Sequence, residues 1–217
     1  VTVSLAAPTP RLGRGFFERD VVEVARELVG CVLVHDDAEH GRLAGRIVET
    51  EAYRGPDDLA AHTARGRRTA RNEAMWGAAG HAYLFVVYGR NWAFNVVTGA
   101  VGEPCAVLVR AVEPTEGLDA MAVRRGLPPQ ARDLARGPGR LCAAFGLGRN
   151  AYGLDLCAPS SRLYVEPPAA PRPLVVACAR VGVDYAGEWA ERPWRFVESE
   201  SRWVSKPPPS PLRRKER

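Results

Sequence analysis

The 217-residue chain contains almost no lysine. Lys206 and Lys215 are its only two, both in the last dozen residues, so the remaining basic residues are all arginine. A Schiff base to a lysine amine therefore has no partner outside the tail. A P-loop is excluded as well, because no Gly-Lys-Ser/Thr triplet occurs. Cysteine is scarce and unpaired in pattern: the five cysteines (Cys31, Cys105, Cys142, Cys157 and Cys178) show no CxxC spacing. Neither a disulfide framework nor a zinc or iron–sulfur site is indicated. Several of them sit in apolar runs (CVLV, CAVLV, RLCAAF), which fits buried reduced thiols and an intracellular protein. The histidines His35, His40, His62 and His81 lack HExxH or related spacing, so no metal site is expected. No run approaches the roughly 18 apolar residues of a membrane span. The opening VTVSLAAPTP has neither a basic n-region nor a long apolar stretch, so no signal peptide is expected.

What is present is ordinary in bulk and distinctive in placement. Hydrophobic residues make up 46% and charged residues 25%, as in globular proteins. A chain of this length buries about 70% of its unfolded surface. Gly (21) and Pro (18) are numerous, which predicts a loop-rich fold. The formal net charge of +5 and pI near 9.2 suggest a polyanion partner. A GC-rich genome is the bland reading of the arginine bias, so placement counts for more. HTARGRRTARN carries Arg65, Arg67, Arg68 and Arg71 without an acid, and Arg132, Arg136 and Arg140 surround the RGPGR turn. Such runs are usually solvated loops. Two of them, both Gly-containing, tilt the reading toward phosphate.

Periodicity predicts a helix in FFERDVVEVARELVG, with Asp20 as N-cap and Gly30 as stop. CVLVHD reads as a buried strand. In GRIVETEAY, alternation puts Ile47, Glu49, Glu51 and Tyr53 on one face. AYLFVVYGRNWAFNVVTG reads as a hairpin turning at Gly89-Arg90-Asn91, with Tyr88 at the turn. EPCAVLVRAVEP reads as a central strand, and EGLDAMAVRRG and GPGRLCAAFGL as helices. LYVEPP, LVVACARVGV and WRFVESESRWVS read as later strands. The expected fold is α+β (mixed α/β): a single compact domain with a largely antiparallel curved sheet, flanking helices and a protruding β-hairpin. Residues 1–10 are expected to be a flexible N-terminal segment, 11–205 the domain, and 206–217 a disordered, basic, Pro-rich tail.

Three features carry chemistry. Glu51 shares its strand face with Glu49 and ends near an aromatic; a solvated face is the bland alternative, and a general base activating water is the functional one. Arg110 interrupts an apolar strand, which requires a partner. Pairing with Glu113 or Glu116 competes there with a role in holding a carboxylate and a water. Tyr88, beside Arg90 and Asn91, is either half-buried on its own hairpin or a wedge between bases. Tyr53, Tyr83, Phe85 and Trp92 offer faces for base stacking, although such aromatics are more often core.

GRIVETEAYRGPDDLAAH, YGRNWAFNV, VLVRAVEPTEGLDAM, RGPGRLC and ARVGVDYAGEW together resemble the 3-methyladenine (alkyladenine) DNA glycosylase family, in order from about Arg11 to about Ser205. The resemblance implies a monofunctional base-excision-repair enzyme acting on double-stranded DNA, monomeric and without cofactor or metal. Glu51 then corresponds to the general base and Arg110 to the arginine that positions the attacking water. Tyr53 and His62 correspond to walls of the base pocket, Asn95 to the residue that disfavours guanine's amino group, and Tyr88 to the intercalating wedge. Phe85 departs from the vertebrate pattern, where tyrosine is usual; phenylalanine keeps the π face and loses the hydroxyl. The hairpin tip also differs, and the stretch from Asn95 to Arg110 is slightly longer than in vertebrate relatives. Arg65, Arg67, Arg68, Arg71, Arg90, Arg136 and Arg140 are the expected DNA-backbone contacts. A non-catalytic DNA- or RNA-binding module on the same fold is the nearest rival, and a small-molecule transferase the third reading.

Overall fold

The 14-residue strand Gly41–Arg54 organises the molecule. In the computed structural model, residues 10–87, 89–168 and 171–208 are described. The chain enters through a short helical turn, α1 (Arg14–Phe17), and helix α2 (Val21–Leu28). Asp20 caps α2 as its sequence position predicts, its carboxylate accepting from the backbone N–H groups of Val22 and Glu23. Val21, Val24, Ala25 and Leu28 form the buried stripe of that helix. Strands β1 (Val32–Asp37) and β2 (Gly41–Arg54) follow, then the hairpin β3 (Ala82–Val87) and β4 (Asn91–Thr98), and β5 (Cys105–Glu116). Helices α3 (Leu118–Arg125) and α4 (Pro138–Phe145) precede three short strands, β6 (Leu163–Glu166), β7 (Val175–Cys178) and β8 (Arg195–Glu198).

The eight strands form one sheet of order β3-β4-β5-β2-β1-β6, with β8 also on β2 and β7 on β8; every pairing is antiparallel. The α+β expectation therefore holds, and β5 is central as its apolar sequence predicts. β2 keeps β5 along one side but changes its other partner. Gly41–Arg46 pair with β1, whereas Glu49–Glu51 pair with β8. The register to β5 shifts at the same place, between Ile47 and Glu49 and between Glu49 and Thr50. Irregularities of this kind bend a strand and re-aim its side chains. They separate Ile47, which belongs to the hydrophobic core, from the Glu49–Glu51–Tyr53 row that simple alternation groups with it.

Helix α2 packs against β2, and the Thr50 hydroxyl donates to the Ala25 carbonyl at 2.7 Å. Glu49 and Glu51 alternate to the opposite side of β2. Helix α4 packs on β4 and β5, with α3 behind it. The strand predicted in LVVACARVGV ends early, at Cys178. Arg180 there buries its side chain in an ion pair, and Gly182 turns the chain with φ +76°. No helix among the described residues is long and apolar enough to cross a membrane.

Candidate active site

Pairing across four adjacent strand contacts aligns one row of residues. Tyr83 faces Asn95, Asn95 faces Leu108, Leu108 faces Glu51 and Glu51 faces Arg195. Directly opposed residues in an antiparallel sheet share a face, so this row forms the floor of a single surface. Above it opens a cleft of about 730 Å³. Its floor and one wall hold Tyr53, His62, Tyr83, Phe85, Asn95, Leu108 and Arg110. Its rim includes Arg125, the 136–140 loop and residues 181–183 and 185.

Glu51 is fully buried. Its Oε2 accepts from the Tyr53 hydroxyl at 2.8 Å and from Arg110 Nη1 at 3.2 Å, and its Oε1 accepts from the Val181 backbone N–H at 2.7 Å. All three donors line the cleft. A carboxylate offers about four acceptor positions, so one position on Oε1 remains for a further donor. Burial, and then the Glu51 charge, push the Tyr53 hydroxyl well above its ordinary pKa, so it stays a donor.

Arg110 is 8% exposed and occupies the register shift on β5, between Val109 opposite Thr50 and Ala111 opposite Glu49. Its partners are Glu49 (Nε to Oε1, 2.7 Å) and Glu51, not the Glu113 or Glu116 of the bland sequence reading. Those two pair instead with Arg46 and Arg42. Glu49 also accepts from Arg195 Nε at 2.8 Å and from the backbone and hydroxyl of Ser205 at 2.5 and 2.9 Å. Burial alone would raise the Glu49 pKa, but Arg110, Arg195 and Ser205 outweigh it and hold it below the ordinary carboxylate range.

Behind Tyr53, Arg180 and Asp58 form an ion pair with both side chains fully buried. The Arg180 guanidinium lies 4.8 Å from the Tyr53 ring centroid and 5.2 Å from that of Trp194. It also donates to the Ala52 and Trp189 carbonyls. Arg180 directly precedes Val181, so this pair fixes the backbone N–H that reaches Glu51.

His62 stands exposed at the cleft mouth, edge-on to Phe85 with centroids 4.3 Å apart. Its Nδ1 lies 2.7 Å from the Tyr83 hydroxyl. Burial raises the Tyr83 pKa, so the hydroxyl keeps its proton. Desolvation and the Arg67 cation lower the His62 pKa, which favours the neutral imidazole. Asn95 is 3% exposed, and its amide nitrogen donates to the Tyr83 and Ala93 carbonyls, which fixes the side-chain amide.

The basic loops divide. Arg65, Arg67, Arg71 and Arg90 are exposed and have no ion-pair partner among the described residues. Arg68 pairs with Glu73, and Arg136 and Arg140 share Asp133. Arg136 also donates to the Val204 carbonyl, holding the 202–206 segment beside the cleft. The start of α4 touches the turn end of the hairpin, where Asn91 pairs with Val87: a Cβ on Gly139 would lie 2.7 Å from the Asn91 Cβ. Tyr88 lies outside the described residues, as does the chain beyond residue 208.

Sequence reasoning thus named Glu51, Arg110, Tyr53, His62, Phe85 and Asn95; the last five line one cleft, and Glu51 lies buried directly behind it, bonded to Tyr53 and Arg110. It missed the Val181 N–H, the Arg180–Asp58 pair and Arg195. Only Arg180, flanked by apolar residues in VVACARVGV, carried a signal in the sequence. The five cysteines are free; burial raises Cys31 and Cys105 to about 11 and Cys142 to about 12.

A mixed α+β domain whose aromatic cleft is backed by a buried carboxylate pair is a scaffold for chemistry on a flat, ring-shaped group. Comparison with known proteins gives that scaffold a family: the model described as methylpurine-DNA glycosylase (MPG) matches residues 15–202, and the chain belongs to this family. It is 47% identical over 202 residues to a protein of Desulfitobacterium hafniense (strain Y51), covering 90% of this chain and 98% of that one. It is 48% identical over 203 residues to a protein of Methanocella arvoryzae, covering 94% and 100%. It is 49% identical over 199 residues to one of Anaeromyxobacter sp. (strain Fw109-5), covering 91% and 94%. All three relatives carry the name "Putative 3-methyladenine DNA glycosylase".

Proposed function

We propose that the protein is a DNA glycosylase that removes alkylated purines from duplex DNA and leaves an abasic site. The observation that carries this reading is Glu51: a fully buried carboxylate held by three donors that all line the cleft. A base inside a duplex is out of reach, so the target nucleotide swings out at a cost of a few kcal/mol of unstacking. Tyr88 fills the gap it leaves. The extruded base enters between Tyr53, His62 and Phe85, where aromatic faces favour a cationic alkylated purine by about 0.5–2 kcal/mol. The fixed amide of Asn95 and the imidazole of His62 read its edge. Exposed arginines on the 65–71 loop, Arg90 and Arg140 hold the phosphates, which makes binding weaken with salt.

A water between Arg110 and the remaining acceptor position of Glu51 attacks C1′. Its oxygen bonds to C1′ as the glycosidic C–N bond breaks, and the electron pair of that bond stays with the purine. A cationic 3-methyladenine thereby leaves as a neutral base, and the water's proton passes to Glu51. The reaction ends at the abasic site, because among the described residues no lysine side chain lines the cleft to form a Schiff base: Lys206 meets the buried charges through its backbone carbonyl and is itself exposed.

The test is Glu51→Gln, which keeps size and one acceptor oxygen but cannot take a proton. With methylated duplex DNA, the wild type is expected to release free 3-methyladenine. The variant should lose release by a factor of about 10² or more and still bind duplex containing an abasic-site analogue. Wild-type turnover in Glu51→Gln would remove Glu51 from the reaction. A well-folded wild type that binds abasic DNA without releasing any base would leave the non-catalytic binding module standing.

A further inference from the structure

The buried charge next to Glu51 exceeds what a general base and a water-holding arginine require. Glu49, like Glu51, is fully buried behind the cleft lining, but only one of its donors, Arg110, lines the cleft; Arg195 and Ser205 do not. It nevertheless takes four hydrogen bonds, from Arg110, Arg195 and twice from Ser205. Placing such a group in the interior costs several kcal/mol before its partners offset it.

The contacts of Arg110 are unequal. Its Nε approaches Glu49 at 2.7 Å, its Nη1 approaches Glu51 at 3.2 Å, and Nη2 approaches the Ser205 hydroxyl at 3.4 Å. An unconstrained arginine beside a carboxylate closes into a two-pronged pair. Here the fork is turned side-on, gripped by Glu49, and reaches Glu51 with one prong. We infer that Glu49 is a positioning residue, which draws Arg110 back from Glu51 so that the Glu51 carboxylate stays free to accept a proton from water. The inference rests on the glycosylase reading above and adds to it a second carboxylate that never touches substrate.

The groups facing this pair come from every neighbouring element. β2 supplies Tyr53, β5 supplies Arg110, β8 supplies Arg195, and β7 supplies Cys178, whose thiol lies 3.5 Å from Arg195 Nη1. The following loop supplies Arg180 with its partner Asp58, and the C-terminal segment supplies Ser205 and the Lys206 carbonyl, which accepts from Arg195. Removing the Glu49 charge leaves Arg110 to close on Glu51 and also deletes a neighbouring negative charge. Both effects stabilise ionised Glu51 and make it a weaker base.

The experiment is single-turnover release of 3-methyladenine across a pH series for wild type, Glu49→Gln and Glu49→Asp, with thermal melts to confirm folding. Expected for Glu49→Gln is a fall of about tenfold or more in kcat, with KM changed by less than about threefold. The acid limb of the rate profile should move by about half a pH unit or more toward lower pH. Glu49→Asp retains the charge but retracts it, so its shift should have the same direction and a smaller size. A role confined to holding the C-terminal segment would lower the melting temperature and leave the limb in place; that result overturns the inference. Should Glu49→Gln not fold, Glu49→Asp decides alone: an acid-ward limb with reduced kcat supports the inference, and an unmoved limb overturns it. Release by wild type with unmoved limbs defeats this inference only. No release by wild type defeats the glycosylase reading, and this inference with it.

Discussion

Replacing Asp58 with asparagine should destabilise the protein more than any other single charge-neutralising change behind the cleft. Asp58 and Arg180 are both fully buried and meet through two short contacts, 2.5 and 2.8 Å. Four of the guanidinium's donor interactions are satisfied: two by Asp58, one by the Ala52 carbonyl and one by the Trp189 carbonyl. Arg180 Nε is already without a partner among the described residues, so the site has no spare acceptor to compensate. Removing the partner of a buried charge costs about 3–5 kcal/mol. That is about a fifth or more of the roughly 5–15 kcal/mol that holds a typical domain together. At about 2–4 °C per kcal/mol for a chain of this size, the melting temperature should fall by about 6–20 °C. The assay is a thermal double-mutant cycle with Arg180→Met. Removing both charges relieves the uncompensated guanidinium, so the double variant should melt above Asp58→Asn. Base release should fall in Asp58→Asn, because Arg180 supports the Tyr53 ring and precedes the Val181 N–H on Glu51. A loss below about 1 kcal/mol would place the pair among those worth little, and would refute the claim that this charge is desolvated and dependent on one partner.

Three further outcomes follow from the same geometry. Tyr83→Phe removes the hydroxyl that hydrogen-bonds His62 Nδ1, a contact worth about 1 kcal/mol; base release should drop severalfold with little change in melting temperature, and an unchanged rate would separate His62 from its support. Gly139→Ala sets a Cβ 2.7 Å from the Asn91 Cβ, so it should cost about 1–2 kcal/mol despite the helix-favouring change and weaken DNA binding by shifting the hairpin; a raised melting temperature would show that the contact yields freely. Asp37 is held at about 2: burial opposes its charge, but Arg124 at 2.7 Å and the His40 and Glu39 N–H groups outweigh that. A depressed carboxylate stabilises the fold above its unfolded pKa and loses that contribution as pH falls toward 2, so Asp37→Asn should flatten the acid side of the stability curve by up to about 2 kcal/mol, checked by denaturant melts between pH 4 and 2.

The parts of this site that were legible in the sequence are the ones whose signal is local. Alternation in ETEAY places Glu51 and Tyr53 on one face, and an arginine inside CAVLVRAVEP announces a buried partner. The partner's identity was not local. Glu113 and Glu116 are nearer in sequence, but the register of β5 on β2 sends them to Arg46 and Arg42 and brings Glu49 to Arg110. The extra residue at the register shift, which turns Arg110 toward Glu49, has no sequence signature. Nor has the exchange of β1 for β8 along β2, and that exchange brings Arg195 beside Glu51. Val181 contributes a backbone N–H, which any residue could supply, so its side chain says nothing about its role. The LVVACARVGV stretch reads as one strand because Val and Ala favour strands; the tertiary pairing of Arg180 with Asp58 overrides that preference.

The distribution of buried charge favours the proposed catalytic reading over mere binding. Seven acidic and basic residues are buried among the described residues: Glu49, Glu51, Asp58, Arg110, Glu166, Arg180 and Arg195. Glu166 lies apart, paired with Arg42 on the far strands. The other six, three of each sign, pack behind one wall of the cleft. A well-packed apolar wall of the same volume is often as stable or more so, and would stack a base equally well. Binding to phosphate has no use for charges that solvent and DNA cannot reach. What balanced internal charges do supply is a fixed local field at a reacting bond, set before substrate arrives. The same exchange of stability for function accounts for the orphaned Arg180 Nε, a defect that an apolar wall would not carry.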